Sequence, residues 1–115
     1  MRDLRELWSD FDRFGGALLG LANEQSDFFR EANGYEGFNG GVQLLDLAAM
    51  RSSHRLTSLL DHVGHGVYGS KLGHHGDQTI YTHMRAIAPE LFYQLGCEWN
   101  RQVAAAPFQR RPRAA

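Results

Sequence analysis

Residues 37–47 read Gly37-Phe38-Asn39-Gly40-Gly41-Val42-Gln43-Leu44-Leu45-Asp46-Leu47. The second half has the apolar density of a buried strand, and the first half is a glycine-rich approach to it. Upstream, residues 17–22 (Ala-Leu-Leu-Gly-Leu-Ala) form another short apolar run between glycine and polar residues, which predicts a second buried strand. The polar stretch 23–37 between them carries Asn33-Gly34 and reads as a loop with turn character. Leu91, Tyr93, Leu95 and Cys97 alternate with Phe92, Gln94 and Gly96, giving a last strand.

Helical spacing fills the rest. Leu4, Leu7, Trp8 and Phe11 predict an amphipathic helix over 3–14, ended by Gly15-Gly16. Residues 48–63 place Leu56, Leu59, Leu60 and Val63 on one face of a second helix. Asp77 is positioned to cap a third, with Ile80, Met84 and Ile87 as its apolar positions and Pro89 as its stop. Residues 64–76 hold five glycines and three histidines and read as irregular. Strands and helices mixed within one small chain point to an α/β layer rather than a bundle or a sandwich.

A length of 115 residues fits one small domain or a piece of a larger one. One cysteine, Cys97, excludes an intrachain disulfide framework. No apolar run approaches the roughly 20 residues of a membrane helix, and Met1-Arg2-Asp3-Leu4 does not open a signal peptide. The net charge of −1 hides an asymmetry: residues 1–100 carry 8 basic and 13 acidic side chains, whereas 101–115 hold four arginines and no acid. An acidic body does not read as a nucleic-acid binder, and 103–115 read as a frayed, solvated tail.

Four places can carry chemistry. Asp10-Phe11-Asp12 has the D-x-D form that holds divalent cations. Helical spacing, however, puts Phe11 in the buried stripe and turns both acids to solvent. Six histidines (54, 62, 65, 74, 75 and 83) lack the His-Glu-x-x-His pattern of a helical zinc site. Gly76-Asp77-Gln78 brings a carboxylate and an amide to a helix start, where Asp77 is either a cap or a functional acid. Asn39 sits before two glycines, which marks either a tight turn or a backbone that a ligand approaches closely.

Together these segments resemble glycosyltransferase family 8, in its LARGE-type and xyloside xylosyltransferase branches. The likeness runs through Glu6-Leu7-Trp8, Leu19-Gly20-Leu21-Ala22-Asn23-Glu24-Gln25-Ser26-Asp27 and Gly37-Phe38-Asn39-Gly40-Gly41-Val42. It continues through Leu72-Gly73-His74-His75-Gly76-Asp77-Gln78 and Cys97-Glu98-Trp99-Asn100-Arg101-Gln102, so it covers about residues 4–102. It implies a partial GT-A fold, a Rossmann-like nucleotide-sugar transferase domain over 1–102, without its N-terminal nucleotide-binding half. The implied activity is retaining transfer of a sugar, best xylose, from a UDP-sugar to a glycan or glycoprotein hydroxyl, in the Golgi or ER lumen. Mn²⁺ would serve as Lewis acid on the leaving diphosphate.

The resemblance also assigns residues. Asp77 and Gln78 fall at catalytic positions, Asn39, Gly40, Gly41 and His74 beside the donor sugar, and Trp99 and Asn100 on the acceptor side. The family's D-x-D would precede Met1 and its later metal-binding histidine would follow Gln102. No metal ligand is therefore expected in this chain, and its own Mn²⁺ binding is expected to be weak or absent. Two other readings stay open: a non-catalytic α/β remnant acting as a binding module, and a small His-loop metalloprotein.

Overall fold

A computed structural model of the chain describes residues 2–26, 36–65 and 76–102. The expected tail at 103–115, most of the loop at 64–76 with His74 and His75, and Asn33-Gly34 lie outside the described residues. Three strands form one mixed sheet: β1 (Leu19–Asn23), β2 (Phe38–Leu45) and β3 (Phe92–Leu95). β1 lies in the middle, antiparallel to β2 and parallel to β3. Helices α1 (Leu4–Trp8), α2 (Leu47–Ser52), α3 (His54–Gly64) and α4 (Asp77–Ile87) flank it, so the expected α/β architecture holds.

β1 is buried along its whole length because both of its faces are covered. Leu19 and Leu21 enter a core with Phe38, Leu56, Leu59, Met84 and Leu91. Ala22 faces the other way, into a second cluster with Leu7, Phe14, Leu44 and Leu95. On that face only a small residue fits at position 20, since a Cβ there would stand 3.1 Å from the Phe14 ring. Fully burying each large apolar side chain contributes about 1.5–3 kcal/mol, so these two layers supply most of the stabilisation of the sheet.

The helices depart from their expected form in physical ways. The segment read as one helix over 3–14 is α1 followed by a 3₁₀ turn, Ser9–Arg13. With three residues per turn, Asp10 stacks under Leu7 rather than rotating to the surface. Asp10 is therefore 6% exposed, against the expectation of a solvated acid, and its Oδ1 accepts from Arg13 Nη1 at 2.8 Å. Leu4 and Trp8, assigned to the buried stripe, stand 74% and 71% exposed. The helix expected over 48–63 is broken at Ser53, whose extended ψ of 107° ends α2 while its Oγ accepts from Leu56 N to start α3.

In α4 the buried face is Thr79, Thr82, His83 and Met84, not the expected Ile80-Met84-Ile87 stripe, and Ile87 is 47% exposed. A polar group can replace an apolar one there because Thr82 has two partners. Its hydroxyl donates to Gln78 O at 2.8 Å and accepts from Phe38 N at 3.0 Å, tying α4 to the start of β2. Asp77 is not the cap. Gly76 holds that position, at φ 55° and ψ −130°, and Asp77 is the first helical residue with its carboxylate turned elsewhere.

Candidate functional site

The register between β1 and β2 slips where the glycines lie. Leu21 pairs with Gln43, but Ala22 pairs with Asn39, so Gly40, Gly41 and Val42 leave the ladder as a bulge. Bulges of this kind re-aim side chains next to functional sites. Here the freed backbone groups meet side-chain amides: Gly40 N donates to Gln78 Oε1 at 3.3 Å and Gly41 N to Asn39 Oδ1 at 2.9 Å.

Six of the eight residues assigned by resemblance, Asn39, Gly40, Gly41, Asp77, Gln78 and Asn100, converge on this bulge. Asn39 Oδ1 also accepts from Asn100 Nδ2 at 2.7 Å. Gln43 Nε2 bridges Gly40 O at 3.1 Å and Asp77 Oδ2 at 3.2 Å, which brings the Asp77 carboxylate beside the glycines. Both glycines lie tight against side-chain amides. A Cβ on Gly40 would lie 3.3 Å from Gln43 Nε2. One on Gly41 would lie 3.0 Å from Asn100 Oδ1 and 3.1 Å from Asn39 Oδ1. His74 lies outside the described residues.

Trp99 is set apart from this group. Its ring packs on the Leu7–Phe14–Leu95 cluster, with the Arg2 guanidinium 5.1 Å from its centroid. It lines a separate cavity of about 360 Å³ with Arg2, Asp10, Arg13, Tyr93 and Glu98 among its walls.

Glu24 is the residue that sequence reasoning missed. It follows directly on β1, and its Oε2 accepts from Asn39 Nδ2 at 2.9 Å and from Gln78 Nε2 at 2.8 Å. Its Oε1 accepts from Ser26 N at 3.1 Å. Burial pushes the Glu24 carboxyl up, but the hydrogen bonds from Asn39, Ser26 and Gln78 together outweigh it and hold the group below the usual carboxylate range. The available signal was position: the carboxyl end of a central strand is where α/β sheets gather ligand-binding groups.

A second layer pins Glu24 in place. Gln25 N donates to Gln102 Oε1 at 2.9 Å, Gln102 N to Gln25 Oε1 at 3.2 Å, and Gln25 Nε2 to Asn100 O at 2.8 Å. Asn23, the last residue of β1, accepts from Arg85 Nη1 at 2.9 Å while that guanidinium lies 4.4 Å over the Phe38 ring.

Chemically, the cluster is made of carboxylates and carboxamides. Among the described residues no Arg or Lys bonds to Glu24, Asn39, Asp77, Gln78 or Asn100. Such a set repels phosphate and matches hydroxyl groups, which donate and accept at once. It does not fit a cation cage: Glu24 and Asp77 are each engaged by amide N–H donors, and among the described residues no three His, Cys, Asp or Glu side chains come together to hold a metal ion.

No protein-family model matches the sequence. Individual proteins do. The chain is 36% identical to mouse xyloside xylosyltransferase 1 over 123 residues, covering 88% of this chain and 31% of that protein. Human xyloside xylosyltransferase 1 is 35% identical over the same shares. Human xylosyl- and glucuronyltransferase LARGE1 is 34% identical, over 89% of this chain and 15% of its own length. The crystal structure of mouse xyloside xylosyltransferase 1 in its apo form superposes with a TM-score of 0.71 at 32% identity, over 95% of this chain and 48% of that one. The chain therefore spans about a third of the length of the xyloside xylosyltransferases it matches and 15% of LARGE1.

Proposed function

The chain is homologous to the xyloside xylosyltransferases and to LARGE-type xylosyl- and glucuronyltransferases over most of its length, and on that premise we propose that it is the sugar-side portion of a retaining glycosyltransferase. The whole protein transfers xylose from UDP-xylose to a hydroxyl of a glycan or glycoprotein, in the Golgi or ER lumen. The observation that carries this reading is the convergence of Asn39, Asp77, Gln78 and Asn100 on the Gly40–Gly41 bulge. These residues come from the start of β2, the start of α4 and the segment beyond β3, yet with Glu24 and Gln43 they form one hydrogen-bonded group.

The residues divide the work. Gly40 and Gly41 let the Asn39, Asn100 and Gln43 amides close in on the backbone, so that the polar groups facing the sugar are gathered at one point. Asn39, Gln78 and Asn100 orient the sugar hydroxyls. Asp77, exposed at the helix start, offers a carboxylate to the transferred sugar or the acceptor. Holding donor and acceptor in register supplies much of the rate in a reaction that needs no strong base. A divalent cation would neutralise the leaving diphosphate; its ligands are proposed to lie beyond the described residues, and no step here depends on it.

The test is UDP-xylose hydrolysis and transfer by the full-length protein carrying Asp77→Asn or Gln78→Ala. Losses of roughly 10²-fold in kcat are expected if these groups act on the reacting sugar. Full activity in both variants refutes the assignment. A second reading, a non-catalytic binding module, draws on the exposed Leu4 and Trp8, and it predicts a complex with a partner and no turnover in the wild type.

A further inference from the structure

We propose that Glu24 is a positioning residue of this site: one carboxylate oxygen sets the direction in which the amides of Asn39 and Gln78 face, and so what the site offers a ligand. This rests on the glycosyltransferase reading and deepens it. A carboxamide has a donor end and an acceptor end of nearly equal size, so packing alone does not stop it turning over. Around the bulge the backbone presents donors, Gly40 N and Gly41 N, and the amide oxygens Gln78 Oε1 and Asn39 Oδ1 must face them. Turning either amide over would set N–H against N–H.

Glu24 fixes the orientation from the other end. An ionised carboxylate accepts and never donates, and both amide nitrogens converge on the same Oε2, at 2.9 and 2.8 Å. Its Oε1 is occupied by Ser26 N. A glutamine at this position would present one oxygen and one NH₂, so it cannot accept from all three donors. The alignment then propagates, because Asn39 Oδ1, once aimed at Gly41 N, also receives Asn100 Nδ2. One negative charge thereby sets the polarity of three amides drawn from three parts of the chain. What remains for a ligand is Asn100 Oδ1, Asp77 Oδ1 and the spare amide hydrogens, a mixed set suited to sugar hydroxyls.

Two measurements test this separately. In the ¹⁵N-labelled 115-residue chain, Glu24→Gln should shift the side-chain NH₂ signals of Asn39 and Gln78 and speed their hydrogen exchange by about tenfold or more. That factor is the loss of a charge-assisted bond of some 1.5–3 kcal/mol. The Gln43 NH₂, which bonds Gly40 O and Asp77 instead, should stay unchanged. Unmoved Asn39 and Gln78 signals overturn the proposal, and Glu24→Asp provides the same comparison if the glutamine variant unfolds.

In the full-length protein with UDP-xylose, Glu24→Gln should lower kcat roughly 10–100-fold with KM within about twofold. The same change should cost clearly less in a Gln78→Ala background, where one of the two amides it orients directly is gone. A full additive loss in that background overturns the positioning role. Absence of UDP-xylose turnover in the wild type sinks the glycosyltransferase reading, while the amide signals still decide what Glu24 does.

Discussion

Gly41→Ala isolates the tightest point of the site. The backbone at Gly41 is not left-handed, so alanine can adopt it, and the whole cost is spatial. The new methyl would stand 3.0 Å from Asn100 Oδ1, 3.1 Å from Asn100 Nδ2 and 3.1 Å from Asn39 Oδ1. All three are closer than ordinary carbon contacts, and they belong to the two residues joined by the 2.7 Å hydrogen bond. Asn100 must therefore swing away. Over-packing of this size costs about 1–3 kcal/mol and a lost hydrogen bond about 1 kcal/mol, so a net loss of about 2 kcal/mol is expected. Urea unfolding, with m-values compared, measures it. Gly64→Ala is the control: nothing lies within 4 Å of a Cβ there, at the last residue of α3, and the change should be neutral or stabilising by up to ~1 kcal/mol. In an Asn100→Ala background two of the three obstructing atoms are gone, and the cost of Gly41→Ala should fall by half or more. An alanine variant within ~0.3 kcal/mol of wild type, or a cost unchanged by Asn100→Ala, refutes the reasoning.

Three further outcomes follow from the same geometry. Thr82→Val keeps the shape of a fully buried side chain but strands the Phe38 N–H, and should cost about 1–3 kcal/mol in denaturant unfolding. Gly76→Ala forces a side chain into φ 55°, ψ −130° and should destabilise by about 1–3 kcal/mol, with α4 fraying at its start by hydrogen exchange. Because the folded Glu24 carboxyl is held below its ordinary range, its stabilisation is complete above the unfolded value and is lost as pH falls through the folded one. The stability gap between wild type and Glu24→Gln should therefore shrink with acidification, and a gap that is constant with pH contradicts the assignment.

The sheet was legible because its signal is local. Leu19–Asn23 follows from an apolar run and β2 from the apolar second half of its segment, but the glycine-rich first half, read as an approach to the strand, belongs to β2 as well and bulges out of the ladder. The helical segments misled where packing overrides period: Asp10 is buried because a 3₁₀ turn changes the rotation per residue, and Ser53 breaks a continuous pattern with a single extended ψ. The expected Asp77 cap was overturned because Gly76, which can enter the left-handed region, takes the cap position without a side-chain bond and Asp77 turns its carboxylate toward Gln43. Glu24 was invisible as a site residue because it opens a polar stretch, where charge is the default. Its role is made by Asn39 and Gln78, and no periodicity reports partners that far along the chain.

The position of β1 between β2 and β3 also decides when the site comes into being. Glu24 meets Gln78 across 54 residues, Asn39 meets Asn100 across 61, and Gln25 reaches Asn100 across 75. The Asn100 bonds come from the segment beyond β3, which pairs in parallel with β1, a slow kind of pairing for a chain to close. The Glu24–Asn39 and Glu24–Gln78 bonds can gather first, and the cluster is completed only when Asn100 arrives. A peptide ending before α4 would carry Glu24, Asn39 and the two glycines but neither Gln78 nor Asn100, the partners that close the cluster. During synthesis, the candidate site stays unbuilt until Asn100 and Gln102 have emerged.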